Sequence, residues 1–152
     1  MQRVTNCIVI ENNHVLLIKK PRRGWYAIPG GKMEAGESIK EAVTREYREE
    51  TNLHLQDPEL AGVFTFSVDT EDTFIQEWMM FTFVAYAYNG ELTDSSPEGE
   101  LEWVPLEIIE QLPMAEGDRK IFQHVKRSQE LLYGAFTYTE DYQLLDARLD
   151  PS

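Results

Sequence analysis

Gly31-Lys32-Met33-Glu34-Ala35-Gly36-Glu37 is followed, eight residues after Glu37, by Arg45-Glu46-Tyr47-Arg48-Glu49-Glu50. The first run reads as a strand end and a glycine-rich turn, the second as part of a helix. Ser38 with Glu41 three residues on is a capping-box pattern, which predicts that the helix starts there. At about 3.6 residues per turn, Glu46, Glu49 and Glu50 fall at i, i+3 and i+4, in one narrow arc. Ile39, Ala42 and Val43 lie on the same stripe one to two turns earlier. A face that opens apolar thus becomes a carboxylate cluster, where an amphipathic helix would continue with Leu or Ala. Like charges at this spacing repel, more so near a core. A divalent cation would turn that repulsion into a binding site, and hard carboxylate ligands favour Mg²⁺ or Mn²⁺ over zinc. The competing reading is a solvated helix laced with Glu–Arg pairs such as Glu41–Arg45.

The stretch from Gly31 to Leu53 resembles the signature of the Nudix hydrolases: Gly, five residues, Glu, seven residues, Arg-Glu, an apolar residue, any residue, Glu-Glu, any residue, Gly and an apolar residue. Gly31, Glu37, Arg45, Glu46, Glu49, Glu50 and Leu53 match it. Tyr47 takes an apolar place, and Asn52 stands for the usual glycine, a substitution that the left-handed conformation tolerates. The resemblance implies an α+β fold, the Nudix α/β/α sandwich with a mixed β-sheet, as a single domain over residues 1–152. It implies hydrolysis of a nucleoside diphosphate linked to another group. It also implies Mg²⁺, with Mn²⁺ possible, held by Glu46, Glu49, Glu50 and the Gly31 carbonyl, and a brace between Glu37 and Arg45. Glycines at 30 and 31 let the backbone approach cation and phosphates, and Lys32 is a candidate phosphate contact. For the general base two candidates stand open: Glu46, and Glu98 in the acidic loop five residues before Trp103, a position from which family members often reach the metal. Glu100 and Glu102 are rivals of Glu98 in the same region.

The rest of the composition sets bounds. With 152 residues, 42% of them hydrophobic, the chain suits one globular domain. It carries no apolar run near membrane-span length and no signal-peptide pattern at Met1-Gln2-Arg3-Val4-Thr5-Asn6. Cys7, the single cysteine, sits in the apolar run Cys7-Ile8-Val9-Ile10 and reads as a core residue, so a cytoplasmic setting is expected. A net charge of −13 argues against broad contact with nucleic acid but does not exclude the small nucleotide partner that the resemblance implies, whose phosphates a bound metal would neutralise. His14, His54 and His124 lack ligand spacing and are assigned no metal.

Alternation and turn signals predict a hairpin of Val4–Glu11 and His14–Lys19 around Asn12-Asn13. Extended segments are expected at 25–29, 59–68, 74–88, 91–93 and 101–104, with a tight turn at Asn89-Gly90. Residues 94–99 read as an acidic loop, 105–111 as a short helix and 118–132 as a longer one. The tail from Ala135 to Leu149 reads as two short extended pieces.

Substrate choice lies outside the box. From Trp103 onward the chain resembles the MutT-type, oxidised-purine nucleoside triphosphatases of this family, sanitisers of 8-oxo-dGTP. Gln111-Leu112-Pro113, the acidic Glu116-Gly117-Asp118 and the tail 132–138 carry that likeness. It implies base reading by an acidic pair, of which Asp118 fits one member, with Glu116 near the other. Gly117 replaces the partner carboxylate, Ala115 stands where a tryptophan would be, and Ala27 where an asparagine would be. Asp118 also reads as a helix N-cap before Arg119-Lys120-Ile121. The expected activity is hydrolysis of a purine nucleoside triphosphate, such as 8-oxo-dGTP, to monophosphate and pyrophosphate. The alternatives are a pyrophosphatase of ADP-ribose or a nucleotide sugar, or a non-hydrolytic Nudix-like binding module. Trp25 or Tyr26 could border the base pocket, and the aromatics of 74–88 read as core.

Overall fold

A computed structural model describes residues 1–69 and 75–152. The predicted hairpin forms from β1 (Gln2–Glu11) and β2 (His14–Lys19), and Asn12 and Asn13 both adopt the positive φ that a tight hairpin turn demands. β1 then pairs in parallel with β7 (Ile75–Ala85), from Gln2 opposite Trp78 to Val9 opposite Ala85. Midway it also pairs with β4 (Gly30–Lys32), which follows the short β3 (Tyr26–Ala27). Beyond β7 lie β6 (Glu59–Asp69), β11 (Leu132–Tyr138) and β12 (Leu144–Asp150). On the other side β2 pairs with β10 (Gly99–Pro105), which pairs with β9 (Ser95–Ser96). The sheet is mixed, as expected: β1–β7 and β6–β11 are parallel and the other pairings antiparallel.

Because alternate strand residues face opposite ways, β1 feeds two cores. Cys7 and Val9 pack with Phe83 and Ala85 against Val43 and Tyr47 of α1 (Ile39–Thr51). Ile8 faces the other core, with Phe64, Met80 and Phe136 of the sheet and Ile121 and Phe122 of α2 (Glu116–Val125). A helix on each face of one mixed sheet is the sandwich that the box resemblance implied.

Some boundaries differ from expectation. Residues 91–93 form no strand, and the extended piece falls later, at Ser95–Ser96, where β10 offers a partner. The strand expected over 74–88 is divided: β7 stops at Ala85, and β8 (Ala87–Asn89) turns away to pair with an unforeseen β5 (His54–Gln56); Phe74 itself lies outside the described residues. The second helix occupies Glu116–Val125 rather than 118–132. Leu132 cannot extend it, because its buried side chain opens β11 opposite Gly62. Asp118 is therefore not the helix cap but sits within the first turn, with Ala115 at the cap.

Candidate active site

Helix α1 is fixed at both ends by its own sequence. Ser38 Oγ accepts from Glu41 N–H at 3.1 Å while the Glu41 carboxylate accepts from Ser38 N–H at 2.8 Å, the predicted capping box. At the other end Asn52 adopts the left-handed conformation (φ 67°), its N–H bonded to the Arg48 carbonyl at 2.8 Å. Its Nδ2 also donates to the Glu91 carbonyl at 2.8 Å, a contact that the usual glycine could not make.

The glycine turn approaches this helix closely. A Cβ at Gly30 would strike the Thr5 carbonyl, and one at Gly31 would strike the Glu46 carboxylate. Gly30 N–H donates to Glu50 Oε2 at 3.1 Å. Glu50 is buried, and desolvation pushes its carboxyl up to about 6, with Glu98 and Glu46 adding to the rise while the Gly30 bond and Lys20 oppose it. Arg45 ties the turn to the helix. It donates to both Glu37 oxygens at 2.6 and 2.9 Å, to Glu46 at 2.9 Å, to Glu49 at 3.1 Å and to the Lys32 carbonyl at 3.1 Å. The guanidinium, with the Glu34 N–H, holds Glu37 down to about 2.

Glu46, Glu49, Glu50 and Glu98 line one cavity of about 540 Å³ together with Gly31 and Lys20. Glu102 is bonded instead to the Tyr26 hydroxyl at 2.9 Å, and Glu100 does not line this cavity. Lys20, which the sequence reading passed over, pairs with Glu98 at 3.4 Å; its place just after a core strand and just before Pro21 was the available signal. Among the described residues no three acidic, His or Cys side chains converge tightly enough to grip an ion as they stand. Arg45 draws Glu46 and Glu49 while Gly30 holds Glu50. The donor set, carboxylates beside a backbone carbonyl with no imidazole or thiolate, fits a hard divalent cation. The closeness of Gly31 to Glu46 gives the fit a backbone wall that a larger residue would fill.

The second helix is separate from this cluster. Glu116 is exposed and pairs with Arg119 at 3.1 Å. Asp118 is half-buried, takes no hydrogen bond among the described residues, and is pushed up to about 7 by desolvation. Tyr26 N–H donates to the Pro113 carbonyl at 2.9 Å, joining the strand before the glycine turn to the lead-in of α2.

A strand–glycine turn–helix carrying this carboxylate array defines a Nudix hydrolase, and the family profile described as NUDIX domain matches residues 1–125: the chain belongs to the Nudix family. It is similar to an uncharacterized Nudix hydrolase, YvcI, of Bacillus subtilis strain 168, 52% identical over 151 residues, covering 99% of this chain and 96% of that one. A crystal structure of a mutator MutT protein from Bacillus halodurans superposes with a TM-score of 0.97 at 55% identity, covering 100% of this chain and 99% of the other. More distant relatives differ in activity. An ADP-ribose pyrophosphatase of Methanocaldococcus jannaschii is 34% identical over 69% of this chain and 62% of its own length. The human 8-oxo-dGDP phosphatase NUDT18 is 36% identical over 62% of this chain and 29% of its own length. The protein is thus an enzyme of the Nudix pyrophosphohydrolase family, whose members act on small nucleotide substrates and generally need a divalent metal. No helix among the described residues is long and apolar enough to cross a membrane.

Proposed function

We propose that this enzyme hydrolyses purine nucleoside triphosphates, 8-oxo-dGTP foremost, to the monophosphate and pyrophosphate, a nucleotide-pool sanitation reaction. The observation that carries the reading is Asp118: a desolvated carboxyl near neutrality, without a hydrogen bond among the described residues, on a different element from the box carboxylates. A carboxyl placed so can accept from N–H groups on a purine edge, or donate while protonated.

At the phosphate end, Glu46, Glu49, Glu50 and the Gly31 carbonyl would hold Mg²⁺, or Mn²⁺ in its place. Bound there, the metal supplies neutralisation of phosphate oxygens and acidification of water. Lys20 and Lys32, on either side of the glycines, offer positive charge to the phosphate chain. Glu98 takes the proton of the attacking water as its oxygen bonds to phosphorus and the bond from phosphorus to the bridging oxygen breaks. Glu37 and Arg45 act on the framework, binding turn to helix.

A second reading, pyrophosphatase action on ADP-ribose, draws on the name of the Methanocaldococcus relative. A hydrolysis panel with Mg²⁺ and with Mn²⁺, covering 8-oxo-dGTP, the common nucleoside triphosphates, ADP-ribose and a nucleotide sugar, separates the two. Preference for oxidised or plain purine triphosphates with pyrophosphate release is expected. Preference for ADP-ribose or the sugar over every triphosphate would overturn the proposal, and binding without turnover would point to a non-hydrolytic module.

A further inference from the structure

Helix α2 begins without a cap of its own. Its N-cap residue, Ala115, has no side chain that could accept from the first-turn N–H groups. One of those groups is satisfied from far away in sequence: Gly117 N–H donates to Tyr138 Oη at 2.7 Å. Tyr138 is 1% exposed, and its ring is stacked on Phe66 at 6.0 Å, which in turn stacks on Trp78 at 5.3 Å. The hydroxyl therefore sits on a rigid aromatic pile. It also explains the glycine. A Cβ at 117 would lie 2.5 Å from Tyr138 Oη but at 3.3 and 3.5 Å from Phe66 and Phe136, so the hydroxyl is the main obstacle to a side chain there and Phe66 a lesser one. Position 117 is where the acidic pair expected from the box relatives loses a carboxylate, and Tyr138 fills that space with a hydroxyl from β11. The strand lies beyond the residues 1–125 that the family profile matches.

We propose that Tyr138 is a positioning residue for substrate specificity: by capping α2 at Gly117 it fixes the neighbouring Asp118 carboxyl where it meets the nucleobase. The inference rests on the base-reading role proposed above for Asp118. A capped first turn leaves the Asp118 carboxyl free of capping duty, whereas an uncapped one would recruit it to the exposed N–H groups. Tyr138→Phe keeps the ring stack and removes only the oxygen.

The test compares wild type, Tyr138→Phe, Asp118→Ala, Gly117→Ala and the double variant Gly117→Ala/Tyr138→Phe, with Mg²⁺, on 8-oxo-dGTP and the four common triphosphates, alongside melting temperatures. Tyr138→Phe should lower kcat/KM for 8-oxo-dGTP by about tenfold, in KM rather than kcat, and narrow its lead over the poorest common triphosphate. Gly117→Ala should lower the melting temperature of the wild type clearly, and that of Tyr138→Phe much less, since the obstacle has gone. Losses by Tyr138→Phe that are equal on every nucleotide and track its melting temperature would reduce Tyr138 to a structural cap and overturn the proposal. If Asp118→Ala alters base ranking and Tyr138→Phe does not, positioning fails while base reading stands. If neither alters it, both fall.

Discussion

The two ends of the site are built in opposite ways. The phosphate end proposed above comes mostly from one stretch, Gly30 to Leu53, in which a turn and the helix after it hold each other through Arg45 and the Gly30–Glu50 bond, with Lys20 and Glu98 added from outside it. The base end proposed above draws on pieces far apart in the chain, Asp118 on α2 and Tyr138 on β11, linked through the Gly117–Tyr138 bond. On the proposed reading, specificity assembled from dispersed pieces depends on packing, so a conservative change in a distant strand should alter substrate ranking more than turnover.

Glu49→Gln and Glu50→Gln should each remove several kcal/mol of transition-state stabilisation, roughly a 10³-fold loss of turnover, on every substrate alike. Chelator should silence the wild type and Mg²⁺ or Mn²⁺ restore it; full activity in excess chelator would end the metal assignment. Burial raises Glu50 to about 6, so its contribution to metal-free stability is present below its ordinary 4.5 and lost as pH rises through about 6. Metal-free Glu50→Gln should therefore melt higher than wild type at pH 8 and show no such advantage at pH 4.

Glu98→Gln comes next. Under the base role proposed for it, Glu98→Gln should lower kcat roughly 10²-fold or more, with KM little changed. A near-normal Glu98→Gln beside a dead Glu46→Gln would transfer the role to Glu46.

The smallest effect belongs to the base end. Asp118→Asn should cost about tenfold in kcat/KM toward 8-oxo-dGTP, as one lost buried hydrogen bond of about 1–3 kcal/mol would. Its titration gives a second reading: a folded value near 7 against an ordinary 3.8 favours the neutral form. Wild-type stability relative to Asp118→Asn should fall as pH rises from about 4 through 7 and level off above. A pH-independent difference between the two melting curves would show that Asp118 does not titrate in that range.

Legibility followed the same division. The capping box, the three carboxylates and the left-handed Asn52 are relations within a few residues, and each appears in the structure where spacing put it. Spacing could not report depth: Glu50 is buried while the Glu49 side chain is 54% exposed. The helix expected over 118–132 stops at Val125, since Lys126-Arg127-Ser128-Gln129-Glu130 carry no apolar stripe onward and the partner strand β6 holds Leu132 extended. Gly117 looked like a lost carboxylate, since nothing within its neighbourhood announces a tyrosine hydroxyl arriving from 21 residues away. The pairing of β5 with β8 was missed for the same reason.

Cys7 carries a consequence of another kind. The only thiol of the chain has no solvent exposure, and burial pushes its ionisation far upward, so the reactive thiolate is withheld. Only a thiolate within reach of solvent can attack a peroxide or a disulfide. A thiol reagent should therefore label the folded enzyme only as fast as it unfolds. In a cell under oxidative stress, where damaged nucleotides accumulate, this sheet offers the oxidant no sulfhydryl with which to switch the enzyme off.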